Sequence, residues 1–122
     1  MTEKQEKLLV RIKEGSFLAQ VAAWKLKSDN AAIVIGNTIY LYNASRREFL
    51  KNKAWLCHEL KHIQQFRQYG FIPFVFIYLW ESLVRGYENN KYEIEARAAE
   101  KDEHLIANMT LLDKGKQNQE VN

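Results

Sequence analysis

His58, Glu59 and His62 lie within the stretch AWLCHELKHIQQF, residues 54–66. On a helix, side chains four apart stand one above the other, so the two imidazoles point the same way. At that separation they can reach a single tetrahedral divalent ion, with zinc–nitrogen distances of about 2.0–2.1 Å. Glu59 falls on a neighbouring face, close to a water held by such an ion without ligating the ion itself. Zinc brings that water's pKa towards neutrality, and a carboxylate beside it can take the proton and deliver it to a leaving amine. By average residue usage, HExxH arises by chance in a chain this short on the order of a few times per thousand. The competing reading is a helix with two solvated histidines and an ordinary glutamate. Ala54, Trp55, Leu56, Leu60 and Ile63 oppose it, because they set this turn in a core where unpartnered polar groups are costly.

A site of this kind needs a third protein ligand. His104 is the only other histidine. It follows Glu93 by eleven residues, roughly 16 Å along a helix axis at 1.5 Å per residue, so the two cannot serve one ion. Cys57 projects about 100° away from His58 and reads as packing. That leaves a carboxylate from NKYEIEARAAE, residues 90–100, with Glu93 and Glu95 on different sides of the helix. Glu93 shares its face with Ala96 and Arg97, and the small Ala96 permits a close approach to the histidine helix. Glu95 shares its face with Ala98 and Ala99. Helical geometry leaves both open, and either also reads as a solvated carboxylate favoured at a helix start.

The elements that must position these residues are legible in part. Leu8, Leu9 and Ile12 give residues 3–13 an amphipathic helical spacing. Ser16 is a candidate cap for a helix over Phe17–Lys27, whose Phe17, Val21 and Trp24 repeat at helical intervals. Ala32–Ile35 and Thr38–Tyr42 flank Gly36-Asn37 and read as a hairpin. Ser45 with Glu48 forms a capping box opening a helix at Arg46. That pattern continues, with a break near Asn52, to Tyr69-Gly70. Pro73 suits the first turn of a helix over Ile72–Gly86. After a break at Asn89-Asn90, a last long helix is expected from Lys91 to Leu112. The stretch Phe71–Trp80 is apolar almost all round and reads as a core helix covering the histidine helix. Its functional alternative is an exposed patch that docks on a membrane or another protein.

The chain has 122 residues and is 47% hydrophobic, enough for one modest core. Residues 1–112 are expected to form one α+β, mostly helical domain, and 113–122 a polar, flexible tail. The net charge of +3 is spread among interleaved acids and bases. No stretch carries the clustered Lys/Arg footprint of a nucleic-acid binder. A single cysteine excludes an intramolecular disulfide and a four-thiolate zinc site. The charged N-terminus lacks the apolar core of a secretory signal, and the longest apolar run is about half a membrane span. A cytoplasmic setting without a transmembrane segment is the expectation.

HELKHIQQ, followed by GYENNKYEIEARAAE, resembles the gluzincin arrangement, with HExxH on one helix and a glutamate on a second. More narrowly it is similar to the small single-lobed minigluzincins and to HELxHxxQ metallopeptidase-like domains, over roughly Ala31–Glu103. The metzincin continuation would need Gly at 65 and His at 68, where Gln65 and Gln68 stand. The resemblance implies a zincin-like single lobe with a short hairpin, an active-site helix and a C-terminal glutamate helix. It implies zinc ligation by His58 and His62, with Glu59 as general base. Its E-x-x-A pattern favours Glu93 before Ala96 as third ligand, with Glu95 second. Where relatives often carry an Asp orienting a ligand histidine, this chain has Arg97, and Asp102 or a backbone carbonyl are the substitutes on offer. The resemblance also implies a rim strand that pairs with an extended substrate, here Thr38–Tyr42. For the oxyanion, Tyr69, Tyr87, Tyr92 and Arg97 are candidates, and for any one of them packing is the better account.

The resulting expectation is a zinc-dependent metallopeptidase acting on a peptide or protein substrate, slow or latent because only one lobe is present. A second copy or another protein would complete the cleft. The alternative is a non-catalytic interaction module whose zinc only staples two helices, against which Glu59 argues, since a structural site needs no general base. A membrane-surface role for Phe71–Trp80 lacks the flanking basic clusters it would need.

Overall fold

The computed structural model describes residues 7–112. The expected tail over 113–122, and residues 3–6 of the expected first helix, lie outside the described residues. The fold is α+β and mostly helical, as the sequence implies.

Leu8–Lys13 is a strand, β1, and not the helix expected over 3–13. The spacing of Leu8, Leu9 and Ile12 fits a helix, but Leu8, Val10 and Ile12 also alternate with Leu9, Arg11 and Lys13, and the strand buries the first set. β-branched Val10 and Ile12 suit the pleat. Helix α1, Phe17–Leu26, is capped by Ser16 Oγ, which accepts from the Ala19 N–H at 3.2 Å. Its buried residues are Ala19 and Ala23, whereas Phe17 and Trp24 are exposed, so the alanine face packs on the sheet.

The hairpin forms as expected from β2, Ala31–Ile35, and β3, Thr38–Tyr42, about Gly36 at φ 66°. Ile39 and Leu41 are fully buried. The sheet order is β2-β3-β1-β4, with β2/β3 antiparallel and β1 parallel to both its neighbours. β3 is therefore an inner strand. The strand expected to offer a free edge, Thr38–Tyr42, has none, and among the described residues β2 is the edge on that side.

Ser45 and Glu48 close the expected capping box on α2, Arg46–Lys51. Asn52 breaks the helix and caps α3, Lys53–Tyr69, by accepting from the Trp55 N–H. α3 is the central element, packing on β1, β2, α4, α5 and the chain beyond α5. Its Leu56, Cys57, Leu60 and Ile63 join Leu8, Val10, Ile12, Ile39, Leu41 and Phe49 in the core.

α4, Phe71–Arg85, is not the covered core helix its composition suggests. Phe74 alone is fully buried, and most of the remaining apolar side chains are exposed. No helix among the described residues is long and apolar enough to cross a membrane.

The expected long helix over Lys91–Leu112 is also corrected. α5 spans only Lys91–Ala98, followed by a 3-10 turn at Ala99–Lys101, a short α6 at His104–Ala107 and β4 at Met109–Leu111. Asp102 ends the run because its carboxylate accepts from the His104 N–H, a local bond that competes with helix continuation. The break turns Ala99 and Leu105 into the core and lets β4 pair with β1.

Candidate metal centre

α3 presents His58 and His62 on one face, their ring centroids 5.1 Å apart. α5 brings Glu93 against them: His58 Nε2 lies 3.1 Å from Glu93 Oε1, and His62 Nε2 lies 3.2 Å from Oε2. One ligand atom from each of the three residues lies within 4.8 Å of the others. α5 can come this close because the helix face towards α3 carries Ala96, which is fully buried. Asn90 fixes the start of α5. Its Oδ1 accepts from the Tyr92 N–H at 2.8 Å, while its amide donates to Tyr78 O and Ser82 Oγ on α4.

The other ring nitrogens are also taken. His58 Nδ1–H donates to Glu100 Oε2 at 2.8 Å, a direction set by the carboxylate having only lone pairs to offer. His62 Nδ1–H donates to Gln65 Oε1 at 2.9 Å, and Gln65 Nε2 in turn donates to Tyr92 O and Glu95 Oε1. Tyr78 O–H donates to Glu93 Oε2 at 2.6 Å. Both Nε2 atoms are thereby aimed at one point in front of the Glu93 carboxylate.

The electrostatics follow from these contacts. Burial alone would depress His58, but the Glu93 hydrogen bond, the Glu59 charge and the Glu100 hydrogen bond overcome it and raise its pKa to about 9. His62 is raised against its own burial by Glu93 and Glu59. Burial lifts Glu59 to about 7, although the two histidines pull it down. Glu93 would also be lifted by burial, but its bonds to His58, His62 and Tyr78 hold it well below the usual carboxylate range. Two buried carboxylates beside the same imidazoles, Glu59 from α3 itself and Glu93 from α5, are thus driven in opposite directions, Glu93 ionised and Glu59 poised near neutrality.

Of the sequence candidates, His58, His62 and Glu93 converge and Glu59 is buried beside them. Glu95 is exposed and faces Gln65, and His104 is exposed away from the cluster. Cys57 packs in the core, its thiol donating to Asp102 O. Asp102 does not orient a histidine; Glu100 does, two helical turns beyond Glu93 on the same face. Among the four oxyanion candidates, Tyr69 and Tyr92 pack on Phe74 and Arg97 donates to Glu88 O. Tyr87 lines the cleft. The residues that went unassigned in the sequence are Tyr78, Glu100 and the orienting role of Gln65. Only Gln65 carried a signal, since three residues after His62 it must share that histidine's face.

The donor set fits a metal. Ligand atoms of a tetrahedron with 2.0–2.1 Å bonds stand about 3.3–3.4 Å apart, close to the nitrogen–oxygen separations here. The Nδ1 atoms are committed to oriented acceptors, the arrangement that fixes imidazole ligands on a metal. A cleft of about 400 Å3 lies against His58 and Glu59, lined also by Ala31 and Ala32 of the edge strand and by Trp55, Tyr87 and Glu100. Comparison with family models, curated proteins and solved structures finds no match to this chain.

Proposed function

We propose that this chain is a gluzincin-like zinc metallopeptidase with a single lobe, hydrolysing peptide bonds in an extended segment laid along β2. The observation that carries the proposal is the convergence of His58, His62 and Glu93 with an unligated, buried Glu59 at the wall of an open cleft. Two imidazoles and one carboxylate are the protein share of a catalytic zinc site, which leaves a position free for chemistry. The metal, when bound, supplies Lewis acidity and acidifies a water to near neutrality.

The remaining work falls to the chain. Glu59, with its pKa raised to about 7 by burial, is matched to accept a proton near neutral pH and to return it to the leaving amine. Gln65 and Glu100 hold the imidazoles in the tautomer that leaves Nε2 for the metal. Tyr87 lines the cleft beside Glu59 and is the one oxyanion candidate with access to a substrate carbonyl. The open edge of β2 offers backbone groups to an extended peptide, replacing the inner strand Thr38–Tyr42 in that role.

The test compares wild type, Glu59→Gln and His58→Ala for zinc content and for cleavage of a mixed peptide library. The expected result is one zinc in wild type and Glu59→Gln, strongly reduced zinc in His58→Ala, and cleavage by wild type alone. Cleavage by Glu59→Gln at the wild-type rate would remove Glu59 from the mechanism. Zinc without any cleavage would favour a metal that only joins α3 to α5.

A further inference from the structure

Apart from Phe74, which is buried, α4 turns several of its polar groups inward and leaves most of its large apolar groups outside. On the inner face, Tyr78 O–H donates to Glu93, Ser82 Oγ accepts from Asn90, and Glu81 accepts from the Lys91 backbone N–H. On the outer face, Ile72, Phe76, Leu79, Trp80, Leu83 and Val84 are exposed by 54% to 79%. A helix that ends in solvent has the opposite pattern. With large apolar side chains on the scale of 150–250 Å2 each, this face leaves about 800 Å2 uncovered. That exceeds the largest apolar patch of an ordinary monomer, about 300–600 Å2, and equals one side of a standard protein interface, about 800 Å2.

We propose that this face is a dimerisation surface on which α4 of a second copy of the chain packs antiparallel about a two-fold axis. A two-fold interface requires a patch that matches itself when reversed. Four of the six outer apolar positions meet that requirement about a point midway between Ile77 and Tyr78. Reversal there places Ile72 opposite Leu83 and Phe76 opposite Leu79. Their 4-3-4 spacing is that of a helix–helix seam. Charge favours the same occupant. The only charged residues of Phe71–Arg85 are Glu81 and Arg85, which pair with each other at 3.3 Å. The face therefore brings no like charges together across the axis and has no basic cluster of the sort that holds a helix on a lipid surface. The dimer does not depend on the peptidase reading, although α4 also supplies Tyr78 to Glu93.

Sedimentation velocity of the full chain, from micromolar to sub-millimolar concentration, tests the proposal. The wild type is expected to move to twice the monomer mass, and Leu83→Glu to remain monomeric with unchanged zinc content and melting temperature. Should Leu83→Glu fail to fold, cross-linking decides. Under mild oxidation the double variant Ile72→Cys/Leu83→Cys is expected to form a covalent dimer that neither single variant forms, the native Cys57 being buried. A wild type that stays monomeric throughout overturns the proposal. If that monomer co-sediments with phosphatidylcholine/phosphatidylserine vesicles, the face binds lipid instead. A dimer that persists in folded Leu83→Glu, or Leu83→Cys cross-linking by itself, also overturns the antiparallel arrangement.

Discussion

Gln65 joins the two helices that carry the three candidate ligands. Its carbonyl oxygen accepts from His62 on α3, and its amide donates to Tyr92 O and Glu95 on α5. Gln65→Leu keeps the volume but strands the His62 Nδ1–H in a buried setting, so zinc affinity is expected to fall by about 10–100-fold. Glu100→Ala removes the partner of His58 at a more solvated position, where water can substitute, and its loss should be smaller. Competition with a chromophoric chelator measures both, and an unchanged affinity in Gln65→Leu would sink the orienting role. The grouping of His58, Glu59 and His62 was legible because HExxH fixes its own geometry through helical spacing. The orienting layer was less so, because Glu100 and Tyr78 meet the site only through the packing of α4 and α5.

The same residues set a pH dependence for the chelated protein. His58 has its pKa raised from 6.5 to about 9, so its stabilising pairs are complete below pH 6.5 and lost as pH rises through 9. Glu59, raised from 4.5 to about 7, binds its proton more tightly when folded, which also lowers stability as pH rises over that interval. Glu93 is depressed and stays ionised throughout, so it adds no slope above neutrality. The chelated protein should therefore melt at progressively lower temperature from pH 6 to pH 9. Zinc-loaded protein should show a weaker trend, because the metal requires deprotonated imidazoles. Melting curves with and without a chelator check this, and a chelated protein that gains stability over the range would contradict it.

At the scale of elements, caps decide most of what the sequence made readable. Ser16, Ser45 with Glu48, and Asn52 are polar residues that satisfy free N–H groups locally, and each marks a boundary that holds in the fold. Asn90 does more than its place in a break suggests. Fully buried, it caps α5 and ties it to α4 through Tyr78 O and Ser82 Oγ. Asn90→Ala loses the cap, leaves the buried Tyr92 N–H without its partner and removes both bonds to α4, and is expected to cost about 2–3 kcal/mol. Thermal unfolding of the chelated variant gives that number without the contribution of the metal, and a loss of a few tenths would show the junction to be redundant. Elements without such local devices were misread. β1 fits both periods within six residues, and tertiary pairing with β3 and β4 chooses the strand. β4 has three residues and exists only because β1 is beside it. α4 has apolar residues all round, so its period could not reveal which face would be left outside.

At the scale of the whole molecule, the cleft has one wall. Trp55, His58 and Glu59 of α3 form its floor and Ala31 and Ala32 of β2 its rim, and the cavity is only about 400 Å3. Few side-chain pockets are available there to grip a substrate, so binding must rest largely on the backbone groups of the β2 edge, in the manner of strand addition. Two consequences follow for the proposed peptidase. Sequence preference should be weak, and a substrate must be able to lie extended, which a folded protein cannot do. Replacing alternate backbone N–H groups of a cleaved peptide by N-methyl groups removes ladder bonds while leaving every side chain in place. At the residues facing β2 this should reduce kcat/KM by at least about tenfold, the equivalent of 1–2 kcal/mol for a lost hydrogen bond with its desolvated partner. Methylation of the intervening residues, whose N–H groups point away, should have little effect. That alternation is the signature of a strand, and uniform sensitivity, or none, would mean that the substrate is held elsewhere than on β2.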